Sequence, residues 1–280
     1  MLACHVRSPV AIPRRNAPSY RGRATARRPA FASAGLSADL CLLFDCDGVL
    51  VETERDGHRV SFNAAFKNAG IEGVEWGVEK YGELLKIGGG KERMTSYFNE
   101  AGWPSVAPES EDERKAWVKG LHEEKTTLFM EMVERGDLPL RPGVRRLVDE
   151  ALAADAMIGV CSTSNERSVR AVVETMLGQE RAAHMKIFAG DVVSKKKPDP
   201  AIYNLAKEHY GVGAGNCVVI EDSRIGLLAA KGAGMNCIVT KSIYTAGENF
   251  SEADMVVDEL GDTEGVNLDT LLQFTSMDFA

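Results

Sequence analysis

Two aspartates stand two residues apart, with a glycine directly after them, in the run Asp45-Cys46-Asp47-Gly48. Such a pair can supply a nucleophile and an acid–base group side by side, or can ligate a hard cation. A second acidic pair, Glu221-Asp222, closes another short apolar run and is followed by Ser223 and a helical pattern. Carboxylates gathered in one cleft repel each other unless a cation or protonation relieves them. With no His near either pair and no Cys/His cluster of zinc-like spacing at them, oxygen ligation points to magnesium. Taken singly, each pair has a competing reading as a turn.

Two further segments carry groups suited to an anion. Cys161-Ser162-Thr163-Ser164-Asn165 ends a second apolar run and leads into a helix from about Glu166, which puts hydroxyls and free backbone amides at a helix N-terminus, a suitable phosphate seat. Helix capping is the alternative use of the same residues. Lys195-Lys196-Lys197-Pro198-Asp199-Pro200 follows a third run. A solvated basic loop is the alternative here, but a lysine on the same sheet edge as the carboxylates can offset the charge of a phosphoryl group.

A second anion site is suggested farther along. In Lys86-Ile87-Gly88-Gly89-Gly90-Lys91-Glu92-Arg93, three glycines precede a helix that opens with cations, so backbone amides and charge converge. His122 and Lys125 lie three apart on a helical pattern and share a face. Two anion seats imply a bisphosphorylated or otherwise doubly anionic sugar.

The elements that must position these groups are legible as runs and periods. Short apolar runs at Leu40 to Phe44, Met157 to Cys161, Ile187 to Ala189, Cys217 to Ile220, Cys237 to Thr240 and Met255 to Val257 read as strands buried on both faces. Helical patterns at Val144 to Ala153, Ser168 to Leu177, Ala201 to Tyr210 and Ile225 to Gly232 alternate with them. The alternation predicts an α/β fold with a doubly wound parallel sheet, whose ligands bind at the carboxyl ends of the strands. About ninety residues between the first two runs have helical periodicity and almost no strand signal, so they read as an inserted helical subdomain. The expected division is 37–54 and 138–280 for the core and 55–137 for the insertion.

Composition sets outer limits. The 280 residues carry a formal charge of −8, but residues 1–36 hold seven Arg and no Lys, Asp or Glu, and without them the charge is −15. An acidic body excludes nucleic acid as a default partner. No apolar run reaches the ~20 residues of a membrane-spanning helix. Segment 1–36 is Arg- and Ala-rich with four prolines, the profile of an organelle transit peptide. The six cysteines are irregularly spaced, without a CxxC pair, and read as buried thiols of a reducing compartment.

The four chemical segments, in this order, resemble the haloacid dehalogenase superfamily of phosphotransferases over residues 40 to 258. Asp45, Asp47 and Gly48 match its first motif, Ser162 its second, Lys197, Pro198 and Pro200 its third, and Glu221 with Asp222 its fourth. The resemblance implies that Asp45 is the nucleophile that forms an aspartyl-phosphate and Asp47 the general acid and base. It implies that Ser162 and Lys197 hold phosphoryl oxygens, and that Mg2+ sits at Asp45, the Asp47 carbonyl and Asp222, supported by Glu221. Dehalogenases of the superfamily generally lack the second Asp, so Asp47 favours phosphate chemistry.

The insertion's position matches the family's small helical cap. The Gly-Gly-Gly-Lys-Glu-Arg loop, the His-x-x-Lys-Thr element and the Cys-Ser-Thr-Ser-Asn segment resemble the CbbY subgroup, whose members dephosphorylate the Rubisco inhibitor xylulose-1,5-bisphosphate to xylulose 5-phosphate. That resemblance puts substrate contacts at Glu52, Gly89, Gly90, Lys91, His122, Lys125, Ser162, Thr163, Ser164, Asn165 and Arg167. It also tips the expected destination toward the chloroplast stroma, and a monomer is expected. The alternatives within the fold are a β-phosphoglucomutase-like phosphotransferase and a phosphoglycolate-type phosphatase.

Overall fold

The computed structural model describes residues 39–261 and 265–275. The expected transit segment, 1–36, lies outside the described residues. Six parallel strands form one sheet: β1 Cys41–Phe44, β2 Met157–Ser162, β3 Met185–Ala189, β4 Cys217–Glu221, β5 Asn236–Thr240 and β6 Met255–Val257, in the spatial order β3-β2-β1-β4-β5-β6. From β1 the chain builds outward through β2 and β3, then returns to the other side of β1 with β4. The reversal between β1 and β4 is the topological switch point at which open α/β sheets hold their ligands. The register pairs Phe44 with Val160 on one side and Ile220 on the other, so Asp45, Cys161 and Glu221 leave the sheet at the same level.

Alternation along each strand divides the core into two layers, because successive side chains point to opposite faces. Leu42 and Phe44 join Ile158, Val160, Val218 and Ile220 in one apolar cluster, whereas Cys41 and Leu43 join Cys161, Cys217, Val219 and Cys237 in the other. The first layer is closed by α5 Val144–Ala153 and α6 Glu166–Val172, the second by α8 Ala201–Tyr210 and α9 Arg224–Gly232. A short α7, Gln179–Ala182, leads into β3, and α10 Leu268–Leu272 follows the sheet. All five cysteines among the described residues are buried free thiols.

Strand β3 begins two residues before the apolar run, because Lys186 is exposed on this edge strand and interrupts the pattern. The pattern at Ser168 to Leu177 becomes α6, capped by the Asn165 side chain, plus a π-helical turn over Val173–Leu177.

The insertion holds a π-helical turn, Thr53–His58, then α1 Arg59–Asn68, α2 Val78–Leu84, α3 Gly90–Ala101 and α4 Glu111–Arg135. It has its own core, in which Phe62, Phe66, Trp76, Tyr81 and Phe98 are buried against one another, with ring centroids 4.9 to 6.2 Å apart where they meet. Helix α4 starts where the Ser110 hydroxyl accepts from the Glu113 amide and ends at Gly136 in the left-handed region. Two chain segments join insertion to sheet, and they pair: Val51 bridges Leu140, and the Arg141 amide donates to the Leu50 carbonyl at 2.9 Å. No helix among the described residues is long and apolar enough to cross a membrane.

Candidate active site

The first acidic motif turns sharply at the end of β1. Gly48 sits at φ 77°, and a Cβ on it would fall 2.1 Å from Asp222 Oδ2, so only glycine lets the turn lie against the second acidic pair. The Asp45 amide donates to the Ile220 carbonyl at 2.9 Å, continuing the β1 to β4 ladder. Ligand atoms of Asp45, Glu221 and Asp222 consequently lie within 4.8 Å of one another, and all three residues are buried.

One lysine stands among these carboxylates. Lys197 Nζ donates to Asp45 Oδ1 at 2.8 Å, to Glu221 Oε1 at 2.6 Å and to the Cys161 carbonyl at 2.8 Å. All three ammonium protons are used. Burial pulls this lysine down, but Asp45 and Glu221 outweigh it and hold it above the ordinary range. Of its neighbours, Lys195 pairs with Asp199, and Lys196 pairs with Asp191 and reaches the Thr163 carbonyl.

Glu221 is saturated. Its Oε1 accepts from Lys197 and from Tyr203 Oη, both at 2.6 Å, and its Oε2 from the Asp222 amide and Ser223 Oγ, both at 3.2 Å. A carboxylate offers about four acceptor directions. Glu221 therefore braces Lys197 and has no acceptor direction left over. A Cβ on Gly226 would overlap its carboxyl group, which explains a glycine in the first turn of α9.

Asp45 and Asp222 are different. Burial pushes the Asp45 carboxyl up to about 7, Lys197 opposing and Glu221 and Asp47 reinforcing. Burial also raises Asp222, with Glu221 and Asp45 adding to it. Ionising both of these buried carboxyls would place more negative charge here than one lysine compensates, in an all-oxygen setting. This donor set fits a hard divalent cation.

Asp47 faces the other way, into the cleft under the insertion. It accepts from Thr53 Oγ1 and Ser164 Oγ, each at 2.6 Å, and from Ser162 Oγ at 3.4 Å. Ser162 is buried and also accepts from the Ser164 amide. A cleft of about 200 Å³ lies between the walls: Asp47, Ser164 and Asn165 on the sheet side, and His58, His122 and Lys125 on the insertion side. Larger concavities exist, but the one around Asp149, Asp155 and His184 opens at the opposite end of β2, away from these groups.

On the insertion side, Lys125 is buried between the rings of Phe62 and Phe129, and its Nζ donates to His58 Nδ1 at 2.9 Å. An ammonium cannot accept, so this histidine carries its proton on Nε2. Burial lowers Lys125 to about 8, and burial, with Lys125 beside it, keeps His58 neutral well below the usual histidine range. The His122 ring lies over Gly90, where a Cβ would come within 2.7 Å of it. Gly89, at φ 91°, turns the chain into α3.

Four residues that the sequence places near substrate have other neighbours. Lys91 is exposed and lines a separate groove between α3 and α4 with Lys115 and Lys119. Arg167 is exposed, 4.0 Å from Glu134, and Thr163 is half-buried with its carbonyl held by Lys196. Glu52 is buried against Arg141 Nε at 3.4 Å. Arg141 also donates to the carbonyls of Gly48, Thr240, Lys241 and Asp258, tying the turn after β1 to the ends of β5 and β6. Sequence reasoning missed Arg141, Tyr203, Thr53 and His58. Only Tyr203 carried a signal, lying six residues after Lys197 on the helix that the Lys-Pro-x-Pro run introduces.

Comparison with known proteins agrees with this construction. Residues 40–234 match the family model for haloacid dehalogenase-like hydrolases. A CBBY-like protein of Arabidopsis thaliana is 64% identical over 221 residues, covering 79% of this chain and 69% of that protein. The crystal structure of CbbY from Rhodobacter sphaeroides with phosphate superposes with a TM-score of 0.65 at 37% identity, covering 82% of this chain and 98% of the other. A mutant of the same protein in complex with xylulose-(1,5)bisphosphate gives 0.62 at 37%, covering 81% and 99%. Similarity that spans both the sheet and the insertion shows that this chain belongs to the haloacid dehalogenase-like hydrolase family and is a phosphatase of its CbbY-like group.

Proposed function

We propose that the enzyme removes one phosphate from a sugar bisphosphate, xylulose-1,5-bisphosphate giving xylulose 5-phosphate, and so clears an inhibitor of Rubisco. The observation that carries this reading is the two-walled cleft, which sets Asp47 and Ser164 opposite His122 and Lys125. A substrate with one phosphoryl group at Asp45 and a second anion at the insertion uses both walls. The likeness to a CbbY protein that has been crystallised with this bisphosphate supports the choice of sugar.

In the proposed reaction Asp45 Oδ forms a bond to phosphorus as the bond to the sugar oxygen breaks, and Asp47 gives that oxygen its proton. Water then attacks the phosphorus of the aspartyl-phosphate, Asp47 takes a proton from it, and Asp45 leaves as carboxylate. Lys197 and the Ser162 hydroxyl hold the equatorial oxygens in place. Mg2+, held by the carboxylates of Asp45 and Asp222 and the Asp47 carbonyl, would supply neutralisation of the charge on the transferring group. Thr53 and Ser164 fix the Asp47 carboxylate between its two proton transfers. The division into core (37–54 and 138–280) and cap (55–137), action as a monomer, and delivery to the plastid by segment 1–36 belong to the same proposal. The Arg-rich, acid-free composition of that segment supports the last point.

The test is phosphate release by purified enzyme with magnesium across sugar mono- and bisphosphates. Fastest release from xylulose-1,5-bisphosphate is expected. Rearranged sugar phosphate without free phosphate would instead identify a mutase and overturn the reading.

A further inference from the structure

The turn after β5, Ser242 to Thr245, touches both halves of the molecule. At one end, Thr245 Oγ1 lies 3.5 Å from Asp222 Oδ2 and 2.8 Å from Ser242 Oγ, and the Thr245 and Ala246 amides donate to the Ser242 carbonyl. Arg141 holds the Lys241 carbonyl just before it at 2.6 Å. At the other end, the Tyr244 ring packs into the insertion's aromatic cluster, its centroid 6.0 Å from that of Tyr81. Every other residue described for that cluster lies between 62 and 121.

Helix α2 is built to receive it. Gly82 sits inside α2, where glycine costs about 1 kcal/mol relative to alanine. A Cβ at this position would come 3.1 Å from both Cδ1 and Cε1 of Tyr244. The tyrosine therefore lies directly on the bare backbone of α2. Its hydroxyl is screened from solvent and has no hydrogen-bond partner among the described residues, so the ring makes the contact.

We propose that Tyr244 is a positioning residue that latches the cap to the core and couples cap docking to the Asp222 carboxylate. The proposal rests on the reading of Asp45 and Asp222 as the magnesium site. Tyr244 and Thr245 are consecutive, and the turn that holds them is closed on itself, so displacing the ring from α2 displaces the hydroxyl beside Asp222. By linkage, whatever favours one arrangement of Asp222 favours docking of α2 by the same factor.

The experiment is hydrogen exchange of the full chain, metal-free and with magnesium chloride, reading the amides of residues 78–84 in the wild type, Tyr244→Ala, Tyr244→Phe and Gly82→Ala. Magnesium binding is followed separately by the thermal midpoint. In the wild type and Tyr244→Phe, magnesium is expected to slow exchange over 78–84 at least threefold. Tyr244→Ala should exchange faster there and lose the magnesium effect while its midpoint still rises with magnesium. Gly82→Ala should shift the same way although alanine favours helix. Equal magnesium protection in Tyr244→Ala and wild type overturns the coupling, as does no protection in a wild type whose midpoint magnesium raises. If magnesium leaves the wild-type midpoint unchanged, the metal reading fails instead, and the latch is judged on metal-free exchange. Faster exchange in Tyr244→Ala then supports it, and equal exchange overturns it.

Discussion

Replacing Tyr203 by Phe tests how Lys197 is held. The hydroxyl is fully buried and donates at 2.6 Å to Glu221 Oε1, the oxygen that also accepts from Lys197 Nζ at 2.6 Å. Phenylalanine fills the same ring volume, so no cavity opens, and the ring stays 4.9 Å beneath the ammonium. What is lost is one hydrogen bond to a buried carboxylate, worth about 1.5–3 kcal/mol. A loss of about 2 kcal/mol lowers the melting temperature of a domain this size by about 4–8 °C. With one brace gone, Lys197 is drawn toward Glu221, and kcat should fall about tenfold while KM changes less than twofold. Thermal and urea denaturation, with steady-state kinetics, measure both effects. In a cycle with Glu221→Gln, the two changes should couple by about 1–2 kcal/mol. A Tyr203→Phe enzyme destabilised by less than about 0.5 kcal/mol, or additive with Glu221→Gln, would refute the bracing role.

Asp45→Asn should lower phosphate release by at least about a thousandfold, because it removes the proposed nucleophile. The same variant reports a pH effect of known sign. The folded Asp45 holds its proton to about 7 while the unfolded carboxyl loses it near 4, so its contribution to stability is present at acid pH and gone above 7. Metal-free Asp45→Asn should therefore gain on the wild type between pH 5 and 8, by about 2 kcal/mol in denaturant titrations. Magnesium competes with that proton, so its stabilisation of the wild type in thermal scans should be larger at pH 8 than at pH 5. Arg141→Ala strips donors from four carbonyls and removes the ion-pair partner of buried Glu52; a destabilisation of at least about 3 kcal/mol in urea is expected. Gly48→Ala places a methyl group onto Asp222 at a left-handed φ, and isothermal titration should show magnesium affinity down at least about tenfold with stability lowered as well.

The strands were legible because a parallel sheet covered on both faces demands continuous apolar runs, and residues 41–44 and 217–220 have no other use for that composition. The edge strand β3 was read short, since its open face lets Lys186 interrupt the run. The π-helical turns at 53–58 and 173–177 left no trace in the periodicity, as one extra residue in a single turn shifts the phase too little to register over so short a span.

Among the site residues, Asp45, Asp47, Lys197, Glu221 and Asp222 stood out by type and spacing along the chain. Their division of labour did not. Glu221 and Asp222 are neighbours in sequence with opposite surroundings, one taken up by four donors and the other by none so short. Arg141 lies 93 residues from Gly48, Tyr203 18 from Glu221 and Tyr244 163 from Tyr81, and local pattern carries no record of such pairings.

By itself the sequence determined which groups were available and at which strand ends they would emerge, because side-chain chemistry and hydrophobic period are local properties. Only the tertiary structure decided which carboxylate braces the lysine, which two need a further cation in order to ionise, and which loop meets the insertion. Those outcomes depend on strand order across the β1 to β4 switch and on burial, which sets the energy of every charge through the neighbours that folding brings to it.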